Sequence, residues 1–275
     1  MTYKIPKIIH QIWYQGVKNI PSDYPNYSST WKKYNPDYKY ILWDKNMIET
    51  LIQQKFPFFL NKYHNFPKMI QKIDSAKCLI LYTYGGLYVD MDSECLKNID
   101  NLLNNEIILV KCNMDLLQSF FFYGTTNFII QNGFMGSTKK NLFWVKCINL
   151  IMKEDINKKF YEMEEVYIFR TAGPSIITNA YHSDINNEKY LLLDHNYIDP
   201  LTSCEYEYYK CGSDNCTHNY PNAYAFHHYG AKHKSNGWLP ETSKYSLIFF
   251  CKYQSYIYII FVLIFLVIII FIFYR

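Results

Sequence analysis

The chain has 275 residues and a net charge of +4, with 49% hydrophobic and 19% aromatic residues, the latter led by 28 tyrosines. That length suits one large α/β domain or two small ones. The positive charge is scattered, with no basic block or aromatic-basic ladder, which argues against a nucleic-acid partner, and no internal repeat is visible.

The first segment, Lys4 to Trp13 (KIPKIIHQIW), runs apolar and alternating, which predicts a buried first strand. Its exit places His10, Gln11, Trp13 and Tyr14 near the carboxyl end of that strand, where open α/β sheets bind ligands. His10, Gln11 and Trp13 are therefore candidates for the ligand side, although Trp13 read alone fits the core better than a stacking role. Residues 28–34 read as a short helix ended before Pro36. Tyr38 to Trp43 (YKYILW) predicts a second strand, and Asp44 the N-cap of a helix running to about Gln54. Pro57 and Pro67 punctuate further helices.

Ile70, Ile73, Leu81 and Tyr84 recur at helical spacing, which predicts a helix with one apolar face. Gly85-Gly86 stops it, since glycine accepts the left-handed cap that other residues resist. Leu87-Tyr88-Val89 has strand chemistry. The β-α-β-α order returning to a strand at Leu87 predicts a mostly parallel sheet in an α/β fold. Asp90 and Asp92 follow, and on an extended chain side chains at i and i+2 point the same way. Two carboxylates so placed suit a hard divalent cation, Mg2+ or Mn2+, together with substrate phosphates. A solvated acidic turn is the plainer reading of an isolated D-x-D; helix, GG, strand and DMD in sequence favour the cation site.

Cys78, Cys95, Cys112, Cys147 and Cys251 are dispersed, while Cys204, Cys211 and Cys216 cluster beside His218. Zinc, a loop disulfide and free thiols all remain readings of that cluster. The sequons at Asn26 and Asn215 carry information only if the domain is luminal. Residues 253–274 are uncharged and include YIIFVLIFLVIIIFIF. About 20 apolar residues span a bilayer as a helix, and the tyrosines at both ends suit the interfaces. The N-terminus has no long apolar region of the signal-peptide kind. The expected organisation is a globular domain over 1–243, a juxtamembrane linker over 244–252 and a single transmembrane helix over 253–275. Lys244 and Lys252 against a lone Arg275 favour a cytosolic globular domain, with the endomembrane or Golgi lumen as the alternative.

IPKIIHQIW, the block W-x-x-x-NP-x-Y-x-Y-x-x-W-D from Trp31, and D-x-x-K-x-x-x-LY-x-YGG-x-Y-x-D-x-D from Asp74 together resemble the DXD-containing sugar glycosyltransferases of family 32. These include α-1,6-mannosyltransferases and inositol phosphoceramide mannosyltransferases. NGFMGS from Asn132, TAGP from Thr171 and HHYGAKHKSNGW from His227 continue the likeness, which covers roughly residues 4 to 240 in order. The resemblance implies a GT-A-type nucleotide-sugar-binding fold and a divalent metal, Mn2+ or Mg2+. It further implies a GDP-mannose or UDP-hexose donor, a glycan or glycolipid acceptor, and retention at the anomeric carbon. A metal-dependent phosphohydrolase and a catalytically silent, tail-anchored binding protein are the rival classes.

Carried over by position, the resemblance makes Asp74, Asp90 and Asp92 the catalytic set. Asp90 would contact the donor ribose and sugar, Asp92 would ligate the metal, and Asp74 would lie near the nucleotide or sugar. Lys77 stands where arginine is usual, keeping the charge without the planar fork. Gly85 and Gly86 would let backbone pack beside the sugar. His227 would be a further metal ligand, with His228 as the adjacent candidate. Lys232, Lys234 and Trp238 would close over the diphosphate. Asn132 and Asp115 are acceptor-side candidates that fit structural turns equally.

Overall fold

The computed structural model describes residues 3–22, 24–114, 119–120, 123–125, 127–184, 190–201, 220–228, 252–253, 255–264, 266–267 and 270. Strand β1 (Ile8–Ile12) starts later than the apolar run suggests, because Lys4 and Ile5 donate their backbone N–H groups to Leu103 O instead of to a strand partner. Helix α1 (Tyr24–Tyr34) follows, beginning four residues before the expected helix because Pro25 sits in its first turn, where its missing N–H costs nothing. Next come β2 (Lys39–Trp43), α2 (Lys45–Lys55), the short α3 (Leu60–Asn65) and the long α4 (Met69–Tyr84). Asp44 caps α2 as expected, its carboxylate accepting from Met47 N at 2.9 Å.

Gly85 ends α4 at φ 65°. A Cβ there would stand 2.7 Å from Lys139 N, so the turn needs both the glycine's positive φ and its missing side chain. Strand β3 (Gly86–Val89) follows, then β4 (Ser93–Cys95), β5 (Ile107–Lys111), β6 (Ile130–Ser137), helices α5 (Leu142–Lys153), α6 (Glu164–Thr171) and α7 (Pro174–His182), β7 (Leu191–Leu193) and β8 (Ala225–His227).

The main sheet has the order β2-β1-β3-β6-β5-β7, and β4 pairs with β8 in a separate two-stranded sheet. Strands β1, β2 and β3 are mutually parallel. Strand β6 runs against both β3 and β5, and β7 runs with β5. Five strands thus point one way and β6 alone reverses, so the sheet is mostly parallel, with an antiparallel member that strand chemistry did not announce.

Side chains alternate across this sheet. Leu87, Val89, Ile108, Val110 and Phe134 share one apolar cluster with Trp31 of α1. Tyr88, Ile107, Leu109 and Met135 join the other, beneath α2, α4, α5 and α7. Helices therefore cover both faces. The chain leaves β1 over one face through α1 and returns to β3 over the other through α2 to α4. Open α/β sheets bind ligands where such connections diverge, which here is at the carboxyl ends of β1 and β3.

Two local expectations change. Helix α4 carries no single apolar stripe; it is buried continuously from Asp74 to Leu81, so its polar residues Asp74, Ser75 and Lys77 lie inside the molecule. Asp90 and Asp92 do not extend β3 but sit in a turn after it, closed by Ser93 N donating to Asp90 O at 3.1 Å.

Residues 255–264 are helical. Residues 254, 265, 268–269 and 271–275 lie outside the described ones, and among the described residues no helix is long and apolar enough to cross a membrane. The boundaries expected at 243 and 252 fall next to or within 229–251, also outside the described residues.

Candidate active site

The turn after β3 is fixed from three sides. Asp90 N donates to Gly133 O at 2.9 Å, tying it to β6. Gln11 Nε2 donates to Asp90 O at 3.0 Å from the end of β1, and Gln11 Oε1 is itself held by the Tyr40 hydroxyl. Trp31 Nε1 donates to Ser93 O at 2.7 Å, and Cys95 N to Thr30 Oγ1 at 2.8 Å, clamping β4 onto α1.

Across β4, Ser93 pairs with His227 of β8. That register carries His227 Nε2 to 3.2 Å from Asp92 Oδ1 and 3.8 Å from Asp90 Oδ2. One donor atom from each of Asp90, Asp92 and His227 falls within 4.8 Å of the others. The side chains retain 27%, 10% and 19% of their exposure, so the cluster opens to solvent. Two carboxylate oxygens and one imidazole nitrogen fit a divalent cation of the manganese or magnesium kind.

Below this cluster lies a buried cation. Lys77 Nζ stands 2.9 Å from Asp74 Oδ1 and 3.2 Å from Asp90 Oδ1. It also donates to Asn132 O at 3.2 Å and lies 4.7 Å from the centre of the Tyr88 ring. The Tyr88 hydroxyl donates to the same Asp90 oxygen at 2.7 Å. Burial alone would raise the Asp90 carboxyl, but Lys77, with His227 and Tyr88, holds it well below the usual range. Burial pushes Asp74 up against the pull of Lys77. Burial would lower Lys77, yet Asp74 and Asp90 keep it above its ordinary value and charged. For His227 burial acts downward, and the charge of Asp92 with hydrogen bonds to both carboxylates raises it well above the usual imidazole range.

The structure brings Asp74, Lys77, Asp90, Asp92, His227 and Asn132 together. The Asn132 side chain bonds the Asp74 carboxylate, so its ties run toward this ionic group. His228 turns elsewhere: its Nε2 meets Glu94 Oε2 at 2.9 Å, its ring stacks on Tyr27 at 4.1 Å, and its backbone N–H donates to Asp92 O at 2.9 Å. His10 is fully buried, taking a hydrogen bond from Trp43 Nε1 on Nδ1 at 3.1 Å and donating from Nε2 to Gly85 O at 2.9 Å. That pairing fixes its tautomer, and burial pushes its pKa down to about 4.

Trp13 is half-buried and meets Tyr24 edge-on at 5.3 Å; its buried indole Nε1 has no hydrogen-bond partner among the described residues. Gly86 backs onto Ile8, where a Cβ would stand 2.6 Å from Ile8 O. Lys232, Lys234, Trp238 and Asp115, and the cluster Cys204, Cys211 and Cys216, lie outside the described residues.

Sequence reasoning missed Tyr88, Gly133 and Glu94. Tyr88 was within reach of the period-two rule, lying two residues before Asp90. Gly133 was not: a Cβ there would stand 2.7 Å from Asp90 Oδ2, a demand that only the pairing of β3 with β6 creates.

Residues 21–109 match the family described as "Glycosyltransferase sugar-binding region containing DXD motif". Over that stretch the chain is similar to the DXD-containing sugar glycosyltransferases. The matched region holds Asp74, Lys77, Asp90 and Asp92 but not His227. The chain is 28% identical over 255 residues to inositol phosphoceramide mannosyltransferase 1 of Schizosaccharomyces pombe, covering 90% of this chain and 69% of that protein. It is 29% identical over 174 residues to mannosyl phosphorylinositol ceramide synthase SUR1 of Saccharomyces cerevisiae, covering 63% of this chain and 41% of that protein. The chain thus spans under half the length of the second relative. Among solved structures, it is similar to the galactosyltransferase LgtC in complex with donor and acceptor sugar analogues. That match has 12% identity and a TM-score of 0.44, over 88% of this chain and 95% of that one.

Proposed function

We propose that this glycosyltransferase moves a hexose, mannose in the first instance, from a nucleotide-sugar donor to a glycan or membrane glycolipid. We further propose that the reaction depends on a divalent metal and retains the anomeric configuration, on a GT-A-type fold. The observation that carries the reading is the convergence of Asp90, Asp92 and His227 at the carboxyl edge of a mostly parallel sheet, above a buried lysine. The mannosyltransferase names of the two relatives support the sugar and, through inositol phosphoceramide, the glycolipid acceptor.

Asp90, Asp92 and His227 would hold the cation. When bound, such a cation supplies positive charge against the departing diphosphate. Lys77 keeps Asp90 ionised and fixed in direction. Asp74 shares that lysine from inside the molecule, and its place near the nucleotide or sugar is proposed from sequence. At the end of β1 Trp13 is half-buried, while Gln11 is fully buried and acts by holding Asp90 O. Lys232, Lys234 and Trp238 are proposed, from sequence, to close over the phosphates. The apolar run 253–274 is proposed to tether the catalytic domain to a membrane, with the domain on the cytosolic side.

A donor screen tests the reading. GDP-mannose, UDP-glucose, UDP-galactose and UDP-N-acetylglucosamine are each supplied with manganese, with EDTA, and to Asp92→Asn. Turnover of one donor that requires both metal and Asp92 supports the transferase and names its sugar. Absence of turnover and of binding for every donor would leave a silent fold.

A further inference from the structure

The connection between α5 and α6 carries a feature that the proposed site does not use. Glu162 N donates to Lys159 O at 3.1 Å, closing a tight turn with Phe160 and Tyr161 at its two central positions. Phe160 is 99% exposed and Tyr161 67%, with Met163 at 50% beside them. The two rings meet edge to face at 5.2 Å.

Such a tip on a loose loop would mean little, but this one is braced. Arg170 of α6 donates to Glu162 Oε1 at 2.7 Å, Glu154 Oε2 at 3.0 Å, Asp155 O at 2.9 Å and Asn157 O at 3.3 Å. The Tyr167 hydroxyl donates to Ile156 O. The bracing also draws the carboxylates of Glu154 and Glu162 onto Arg170, and Glu164 onto Lys68 and Lys158. Exposed Lys153 and Lys159 remain around the aromatic tip, beside the exposed carboxylate of Asp155.

The tip lies at the same end of the sheet as the site. Helix α6, about 12 Å long at 1.5 Å per residue, leads from it to Gly173, where a Cβ would stand 3.4 Å from Asp74 Oδ2. Gln71 of α4 reaches Thr171 at 2.7 Å, and Lys68 of α4 reaches Glu164 at 2.7 Å.

We propose that the Phe160–Tyr161 turn inserts into the interface of a lipid bilayer, setting the Asp90–Asp92–His227 edge against the membrane surface. Two rings and a methionine are far too small for a stable protein interface, which buries about 800 Å² per partner. They suit the headgroup boundary, where aromatic tips partition and lysines meet anionic lipid. The same chain carries the uncharged run 253–274, which is long enough to span a bilayer. Because the turn is already ordered, insertion exacts little conformational entropy. The contact itself is read from exposure and bracing; its consequence, a preference for membrane-embedded acceptors, rests on the transferase reading.

The test uses the full chain in phosphatidylcholine–phosphatidylserine vesicles, wild type beside Phe160→Trp. Native tryptophans set the baseline, and the added one reports on the turn. The inference expects the added emission to be blue-shifted and mostly lost when the acyl chains are brominated. An unshifted, unquenched signal overturns it. Phe160→Ser with Tyr161→Ser should lower transfer to inositol phosphoceramide in vesicles while leaving transfer to inositol phosphate in solution unchanged. Equal loss on both acceptors overturns the role in acceptor choice. Should no donor be turned over by any variant, the transferase reading fails while the quenching result still decides the membrane contact.

Discussion

His227 Nε2 stands 3.2 Å from Asp92 Oδ1 because Ser93, the residue after Asp92, pairs with His227 itself across a two-stranded sheet. The ligand cluster is therefore a matter of strand register, and register depends on what holds β8. His228 supplies much of that hold through Glu94, Tyr27 and Asp92 O. His228→Ala is expected to weaken manganese binding about 10- to 100-fold, the usual cost of losing a residue that orients a ligand. Glu94→Gln, which keeps a hydrogen-bond acceptor, should cost less. Unchanged manganese affinity in His228→Ala would show that β8 holds its register without it.

Lys77 is buried between Asp74 and Asp90. Removing one member of a buried ionic group leaves uncompensated charge and costs about 3–5 kcal/mol. Lys77→Met should show a loss of that order in urea unfolding, and Asp74→Asn in the same background should recover part of it. A midpoint unchanged in Lys77→Met would mean that the carboxylates find another partner.

Gly133 has no room for a side chain, since its Cβ would stand 2.7 Å from Asp90 Oδ2. Gly133→Ala should therefore displace the carboxylate without opening the core. Turnover is expected to fall about 100-fold, the scale of a 1 Å misplacement near chemistry, with the thermal midpoint little changed. Parallel loss of stability and activity would place the effect in the sheet.

His10 links stability to acid. Its pKa falls from an ordinary 6.5 to about 4 in the folded chain, because burial disfavours the imidazolium. Between those values the unfolded chain binds the proton and the folded chain does not. The stability His10 contributes above pH 6.5 is thus lost as pH falls toward 4, by about 3 kcal/mol at the bottom of that window. Urea midpoints taken from pH 7 to pH 4 should show this slope, and the ring proton of His10 should titrate only near pH 4.

Local chemistry made several of these elements legible in the sequence. The Gly85-Gly86 stop, the Asp44 cap and the strand at Leu87 each depend on a few neighbouring residues, and all lie where that chemistry puts them. The candidate site was legible as residue types, but its geometry depends on distant partners. Asp90 and Asp92 converge through a turn held by β6 and α1, not through the alternation of an extended strand. Lys77 is polar yet buried, which contradicts a simple amphipathic reading of α4 and becomes intelligible only once Asp74 and Asp90 are beside it. The three-residue β8 has too little length for any periodic signal, and its pairing with β4 is what separates the roles of His227 and His228.

The central claim is that Asp90, Asp92 and His227 form one cation site serving a nucleotide sugar. Manganese binding followed by electron paramagnetic resonance tests it most directly, on wild type, Asp92→Asn and His227→Ala, each with and without GDP or UDP. The account predicts that wild type binds manganese more tightly when one of the two nucleotides is present, and that both variants lose that binding while retaining the far-ultraviolet circular dichroism of the fold. Wild-type affinity and nucleotide coupling in either variant would contradict the site.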